Sequence, residues 1–253
     1  MRKIIKMILI VFKSILIFIV IGATSTAVVK NVQKIVLVEQ FKAKGVYQEE
    51  LSTKSVKFYK IDSNESIPTF FKSGNEVIPG GPGDILVSTQ ATLINPFISG
   101  FISFFAGGHA AICMDEYSDF DITIEKEDSI EATGLEEGEN LSEVFRRDYW
   151  AKDDPFTEVI GLRVSMTEEE RNEILSLSAS LLGDPYNYSF LFDTTNKTYC
   201  SDLVSKVYKH IGVNLNKDDF TTSIYDLIVS SDSYISYYHY FDADGIKHIY
   251  YLG

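Results

Sequence analysis

A cysteine stands between a polar loop and an amphipathic run, in the stretch TYCSDLV from Thr198 to Val204. The following apolar residues recur at helical spacing and a glycine ends the run at Gly212, so the sequence predicts a helix that begins near Cys200. A thiol in the first turn of a helix lies beside unpaired backbone N–H groups and the positive end of the helix dipole. Both favour the nucleophilic thiolate, and the same N–H groups can stabilise an oxyanion. The alternative is a small, buried, unreactive cysteine.

A thiolate nucleophile needs a base, and His109 is the best candidate of the four histidines. It follows Gly107 and Gly108 and opens the run HAAIC, whose composition predicts a strand. An imidazole at that position is held at a strand edge with backbone room around it. The other histidines (His210, His239 and His248) lie late in the chain, at a helix end and in a tyrosine-rich segment. A purely structural role for His109 is the alternative.

A third group should orient the imidazole through its other ring nitrogen. Glu131 is the candidate, because residues 129–133 are predicted to form a strand that could pair with the strand of His109. A solvated glutamate is the alternative in a chain with so many acids. Cys113 shares a strand face with His109 by alternation, and is interpreted as a core residue or a disulfide partner of Cys200.

Further strands are predicted at residues 55–61, which alternate, at 84–88 and at 157–165. The predicted elements run as strands, then two helices, then a final hairpin, an order that indicates an α+β fold. The clearest helix starts after Thr167, which forms a capping box with Glu170, and stops at Gly183. Residues 63–83 are predicted to be turns, and residues 141–150 a short helix or loop. The acidic stretch from residue 118 is predicted to be a hairpin turn that leads into the strand of Glu131.

The first residues combine a basic start with an apolar run from Ser14 to Val29. That run is near the lower limit for crossing the ~30 Å hydrocarbon core as a helix. We favour a retained anchor over a cleaved signal peptide, although small residues at Ala23, Ser25 and Ala27 would suit a signal peptidase. The positive charge precedes the run, so the remainder of the chain is expected outside the membrane; a secreted protein is the alternative.

The remainder of the chain is strongly acidic. Six of the 23 basic residues and none of the 36 acidic ones precede residue 36, which leaves 17 basic residues and a net charge of −19. So negative a surface argues against nucleic-acid binding. Two cysteines and scattered histidines give no zinc motif, and Gly80–Asp84 lacks the features of a phosphate loop. The sequence therefore predicts neither a metal nor a cofactor.

Five motifs occur in a telling order: GDILVS, GGHAAICMD, IEATG, LLGDPYNYSF and YCSDLVSKVY. Together they resemble the circularly permuted papain-like hydrolases of the NlpC-type superfamily (the permuted YiiX/YebB-like amidases), over about Pro82 to Gly212. The resemblance implies Cys200 as nucleophile, His109 as general base and then acid, and Glu131 as the orienting group. A long acidic insertion between His109 and Glu131 departs from the pattern and leaves the role of Glu131 the least secure. Tyr199 is expected to shape the pocket or assist the oxyanion because it adjoins Cys200.

The resemblance also implies an α+β papain-like domain with a central antiparallel sheet and the nucleophile's helix packed on it. We divide the chain into a segment 1–35 for the membrane, a connector with the first strands at 36–80, and a hydrolase domain at 81–253. The expected activity is cysteine hydrolysis of amide or peptide bonds, such as those of cell-wall peptide, through a thioester. A lipid acyltransferase or thioesterase with the same triad, and a non-enzymatic surface-binding domain, are the alternatives. Residues 93–105 could line an acyl pocket or belong to the core.

Overall fold

The computed structural model describes residues 2–73, 76–91, 96–114, 129–134, 144–147, 150, 156–190, 196–217 and 221–253. The helices in these ranges are α1 (Arg2–Lys42), α2 (Pro96–Phe105), α3 (Glu168–Ser180), α4 (Cys200–His210) and α5 (Ile224–Val229). The strands are β1 (Val46–Tyr47), β2 (Val56–Ile61), β3 (Phe70–Ser73), β4 (Glu76–Pro79), β5 (Ile85–Ser88), β6 (His109–Cys113), β7 (Ser129–Ala132), β8 (Val144–Arg147), β9 (Glu158–Arg163), β10 (Tyr234–Phe241) and β11 (Lys247–Leu252).

One large sheet organises the described residues, with strand order β1-β2-β11-β10-β9-β5-β6-β7-β8. Its neighbouring strands are antiparallel except for β2 and β11, which run parallel. β3 and β4 form a separate two-stranded hairpin. The N-terminal strand β2 therefore completes the same sheet as the C-terminal hairpin β10–β11.

Alternation along the central strands gives the sheet two apolar faces. On β5, Ile85 and Val87 point into the core beneath α4, while Leu86 points to the opposite side, where Trp150 and Phe156 pack. Successive side chains of a strand point to opposite faces, so a centrally placed strand buried on both sides is apolar throughout. All four residues of β5 are accordingly buried. Helix α4 presents Leu203, Val204 and Val207 to the first face.

A buried ion pair ties the turn before β5 to β9. The guanidinium of Arg163 donates to both carboxylate oxygens of Asp84, at 2.7 and 2.6 Å, and also to Glu65 at 2.7 Å. The other Asp84 contact comes from the backbone N–H of Gly81, at 2.7 Å. Asp84 is 0% and Arg163 2% exposed, so each charge depends on the other for compensation.

Most of the predicted elements are present. The strands at β2, β5, β6, β7 and β9, the helices α3 and α4 and the C-terminal hairpin lie where the sequence predicts them. Thr167 and Glu170 form the expected reciprocal capping box at the start of α3. Helix α1 is much longer than the predicted apolar run, because it includes the basic start from Arg2 and continues to Lys42. The predicted acidic turn at residues 118–128 lies outside the described residues.

Three elements differ from the sequence prediction. Residues 141–150 were expected to be helix or loop, but Val144–Arg147 pairs with β7 as the last strand of the sheet. Residues 63–83 were expected to be turns, yet they contain the β3–β4 hairpin. Helix α5 was not predicted. All three are short segments of four to six residues, in which tertiary pairing outweighs a periodicity too brief to recognise.

Replacing Arg163 with alanine should destabilise the domain, because Asp84 would remain as an uncompensated buried charge. The expected loss in the free energy of unfolding is about 3–5 kcal/mol, measured by denaturant unfolding of the protein. Lys217→Ala is the matched control, because Lys217 and Asp232 form an exposed pair at 3.7 Å. An equal loss of unfolding free energy in both variants would show that the buried ion pair contributes no more to stability than an exposed one.

Candidate active site

Cys200 is the first residue of α4, as its sequence context predicts. The preceding Tyr199 has an extended backbone and provides no side-chain cap, so the N–H groups of the first turn stay available. The sulfur accepts hydrogen bonds from the backbone N–H groups of Ser201 and Ala110. The sulfur therefore lies between the helix start and β6, with donors from both elements around it.

His109 is the first residue of β6 and pairs with Ser88 of β5. The chain reaches this position through two glycines that pass very close to their neighbours. Gly107 has a φ of +87°, and a Cβ atom there would lie 2.5 Å from Cβ of Ile224. A Cβ on Gly108 would lie 2.2 Å from the carbonyl oxygen of Gln90. Only glycine fits this path, which brings the imidazole to the first residue of β6, beside α4.

The three residues proposed as a triad are brought together in one place. Nε2 of His109 contacts Oε2 of Glu131 as a short hydrogen bond or ion pair. Because Nε2 is taken, the ring nitrogen left for the hydrogen bond with Cys200 is Nδ1. Glu131 is 1% exposed and its other oxygen lies 3.4 Å from the hydroxyl of Ser129. The strands β6 and β7, which pair directly, thus carry the base and its partner.

Electrostatics favour a charged pair at this site. Burial by itself would lower the pKa of His109, but the negative charges of Glu131 and Cys200 and their hydrogen bonds outweigh it and raise that pKa to about 10. Burial likewise opposes ionisation of the thiol, yet the hydrogen bond and charge of His109 lower the pKa of Cys200 below its ordinary value. At neutral pH the arrangement is therefore a thiolate beside an imidazolium.

Two aromatic rings fix the plane of the imidazole. The Trp150 ring is stacked on His109 with centroids 6.0 Å apart and planes 6° apart, and Phe156 lies 6.3 Å away at 27°. Trp150 is 1% and Phe156 4% exposed. Sequence reasoning missed both residues as part of the site. The sequence offered one signal for these residues, which is that Trp150 is the single tryptophan of the chain. Its position in the sequence does not indicate that it contacts His109.

A second cluster of aromatic side chains lies near Cys200. Burial, and then the negative charge of Cys200, raises the pKa of Tyr186, so this phenol lies near the thiolate and stays protonated. The Tyr186 ring contacts Tyr188 at 4.9 Å and Phe190 at 5.9 Å. Tyr188 is 54% and Phe190 44% exposed, so the cluster forms a surface open to solvent beside Cys200.

Tyr199, predicted to shape the pocket or assist the oxyanion, is mostly buried. Its hydroxyl accepts a hydrogen bond from the backbone N–H of Thr222 at 2.9 Å, and its ring packs against Phe190 at 5.4 Å. Cys113, the other cysteine, is 1% exposed and lies in the core, where its thiol donates to the carbonyl oxygen of Pro79, and neither cysteine forms a disulfide. Of the two interpretations of Cys113, the structure supports the core residue.

Comparison with known proteins identifies the family of the chain. Residues 81–234, more than half of the chain, match the family model described as permuted papain-like amidase enzyme, YaeF/YiiX, C92 family. The chain belongs to this family. Its α+β class and permuted papain-like architecture are thereby confirmed, and hydrolase activity of the amidase kind follows for the family in general. No curated protein matches the chain.

A solved structure with a similar fold is described as metalloprotein YiiX from Escherichia coli O157:H7. It is 15% identical to this chain, with a TM-score of 0.44, and the match covers 61% of this chain and 95% of that one. Within the described ranges of the present chain, no group of three His, Cys, Asp or Glu side chains could hold a metal ion.

The charged pair predicts how Cys200 reacts with iodoacetamide. In the Cys113→Ala background, alkylation of Cys200 should persist well below pH ~8.5, the pKa of an ordinary thiol, because His109 supplies the positive charge. His109→Ala should move the alkylation profile to higher pH, and Glu131→Gln should move it in the same direction by a smaller amount. Mass spectrometry of the labelled peptide measures each profile.

Cys200→Ala in the same background is the control for labelling elsewhere. An unchanged profile in His109→Ala would contradict the charged pair, because the imidazole would then have no effect on the pKa of the Cys200 thiol.

Proposed function

We propose that the protein is a cysteine hydrolase that cleaves amide or peptide bonds through a Cys200–His109–Glu131 triad. The observation that carries this proposal is the convergence of Cys200, at the start of α4, with His109 and the carboxylate of Glu131 in one buried place. Buried charges also serve structure in this fold, as the Asp84–Arg163 pair does. A structural ion pair, however, has no need of a thiol at a helix start beside an imidazole that a carboxylate orients, which is the arrangement used in nucleophilic catalysis.

The reaction begins when the thiolate of Cys200 attacks the carbonyl carbon of the scissile bond. The electron pair moves to the carbonyl oxygen, which becomes an oxyanion stabilised by the N–H groups near the start of α4. His109, protonated at Nδ1, then gives its proton to the leaving amine as the C–N bond breaks. The products of this half-reaction are a free amine and a thioester on Cys200.

Water completes the cycle. His109, now neutral, accepts a proton from a water molecule as that water attacks the thioester carbonyl carbon. The C–S bond breaks, the carboxylic acid leaves, and the thiolate and imidazolium are restored. Glu131 stabilises the imidazolium in both halves and holds Nδ1 toward the sulfur.

The open aromatic cluster of Tyr186, Tyr188 and Phe190 gives the site an apolar recognition surface. Substrates with an apolar or planar group next to the scissile carbonyl would pack on it, and cell-wall peptide is one such candidate. Tyr186 lies near the thiolate with its phenol protonated, so it is available as a donor to the substrate. The acidic surface of the domain would favour neutral or basic substrate segments.

Helix α1 supports the second candidate function, a lipid acyltransferase or thioesterase that uses the same triad. The segment Leu9–Lys42 is long and apolar enough to cross a membrane, with a mean hydropathy of 2.1 over its most apolar 18 residues. We propose that it is a retained single-pass anchor with the catalytic domain outside, because four basic residues of α1 (Arg2, Lys3, Lys6 and Lys13) precede the apolar run. An enzyme held at a bilayer meets ester and thioester bonds of lipids as well as peptide bonds.

Substitution at Cys200 tests the mechanism directly. Cys200→Ala and His109→Ala should each lower turnover of an activated amide or ester by at least about a thousandfold, because nucleophile and base act as one unit. Glu131→Gln should lose less, since the nucleophile and base remain. Intact-protein mass spectrometry during turnover should show a covalent acyl adduct, located on Cys200 after digestion.

Far-ultraviolet circular dichroism of each variant controls for folding. Undiminished turnover in a folded Cys200→Ala variant would refute the mechanism. Adducts formed with lipid acyl donors, and not with peptides, would favour the acyltransferase or thioesterase.

A further inference from the structure

The second half of α1 is part of the catalytic domain. Contacts with the domain recur along this half at alternating spacings of four and three residues, which places them on one stripe of the helix: Ala27, Asn31, Lys34, Val38 and Phe41. Val38 is 4% and Phe41 7% exposed, and both belong to the main core. By contrast, the large apolar side chains from Leu9 to Ile21 are each at least half exposed. The same helix is therefore docked over one half and bare over the other.

Two lysines fasten this stripe. Lys34 contacts both oxygens of Glu158, at 2.7 and 2.8 Å, and the same carboxylate accepts hydrogen bonds from Thr89 and Tyr238. Lys30 forms an ion pair with Asp226, whose carboxylate also caps the start of α5. Side chains in a shared network hold each other in place better than an isolated surface pair does. Helix α1 is thus a rigid support, in contrast to a flexible tether.

Helix α2 lies against α1 at the level where docking begins. The amide Nδ2 of Asn31 donates to the carbonyl oxygen of Phe104 at 3.0 Å. The sequence of α2, PFISGFISFF, has no charged residue. Phe97 is 83% and Ile102 36% exposed. An uncharged helix with an exposed aromatic side chain, next to the point where a membrane span leaves the bilayer, has the surface expected of an interfacial helix.

Helices α2 and α5, which touch α1, are linked to the proposed catalytic residues through short segments and hydrogen bonds. Only residues 106–108 separate α2 from His109, a distance of at most about 14 Å even when fully extended. The N–H of Ile224, at the start of α5, donates to the carbonyl oxygen of Ala106 at 2.9 Å. The Ser201 hydroxyl, next to Cys200, donates to the carbonyl oxygen of Thr222 at 2.8 Å. The site is therefore fixed in height relative to α1.

We propose that α2 forms an interfacial contact with the lipid bilayer and that α1 holds the active site at the membrane surface. The partner is a zwitterionic or neutral lipid surface, because the domain is acidic and α2 carries no basic residue. The substrates would be membrane-anchored molecules whose scissile amide, ester or thioester bond lies near the headgroups. The substrate part of this inference rests on the proposed hydrolase activity, whereas the placement of α2 rests on the proposed membrane anchor and is independent of that activity.

Fluorescence tests the placement. The full chain is reconstituted in phosphatidylcholine vesicles with brominated acyl chains, and Phe97→Trp is compared with Tyr47→Trp. Tyr47 is 46% exposed and follows the end of α1, which rises about 18 Å between Lys30 and Lys42. The signal of the native Trp150, which is 1% exposed and the single tryptophan, is subtracted.

Bromine should quench the Phe97→Trp emission at least about twofold more strongly than that of Tyr47→Trp, since quenching requires contact with acyl chains. Equal quenching at the two positions would overturn the placement. A second outcome would also overturn the placement: a protein that forms a detergent-stable dimer in which the Phe97→Trp emission is not quenched by bromine. The exposed face of α2 would then be the contact with a second copy of the chain.

Turnover tests the substrate class. One acyl-amide substrate is offered free in solution and attached to a lipid in phosphatidylcholine vesicles. Phe97→Asp should lower kcat/KM for the lipid-attached form by about tenfold, the effect of losing one buried aromatic side chain, and leave the soluble form within about twofold. Val46→Asp, at an exposed site beyond the end of α1, should change neither.

An equal loss on both substrates would overturn the inference, as would no loss on the lipid-attached one. If the unmodified enzyme turns over neither substrate, the proposed function fails, and the fluorescence result still decides the placement of α2.

Discussion

The carboxylate of Glu131 makes a positive imidazole stable in the protein interior, and the reactive form of Cys200 depends on that charge. Burial opposes ionisation of both partners, as it does for any charge removed from water. Glu131 lies at 1% exposure on β7, and its contact with Nε2 reverses the effect of burial on His109. The imidazolium in turn favours the thiolate. His109 and Cys200, which burial alone would keep neutral, are therefore charged together.

This arrangement requires accurate positioning, which comes from the pairing of strands and from close backbone approaches. The β6–β7 pairing sets the relation between His109 and Glu131, and both strands have neighbours on either side in the sheet. Glycines at 107 and 108 let the chain pass between Ile224 and Gln90 on its way to His109. Trp150 and Phe156 then stack on the ring, so that its plane is set by packing as well as by hydrogen bonds.

The docked half of α1 connects this chemistry to location. A catalytic domain on a flexible linker samples many heights above a membrane, whereas ion pairs from Lys30 and Lys34 and the buried Val38 and Phe41 allow one orientation. The same helix contributes to the core, so the domain and its support stabilise each other. The polar contact of α1 with α2 is at Phe104, five residues before His109, and the segment before α5 is joined to the residue after Cys200 by the Ser201–Thr222 hydrogen bond.

The sequence by itself determined the elements whose patterns are local. Apolar periodicity and capping identified α3 and α4, alternation identified β2, composition identified β6, and the sequence context placed Cys200, the proposed nucleophile, at a helix start. The motifs in their order identified the family, which the match over residues 81–234 confirms. These features could be predicted because each is written within about ten residues of contiguous sequence.

Tertiary structure alone decided the rest, because those features depend on residues far apart in the chain. The strand β8 exists through its pairing with β7, although its four residues carry too little periodicity to predict it. Trp150 stacks on His109 across 41 positions of sequence, and Asp84 meets Arg163 across 79. The docking of α1 on α5 joins Lys30 to Asp226 across 196 positions. Side-chain type and local spacing carry no record of which distant partner a residue will meet, and only the folded chain brings those partners together.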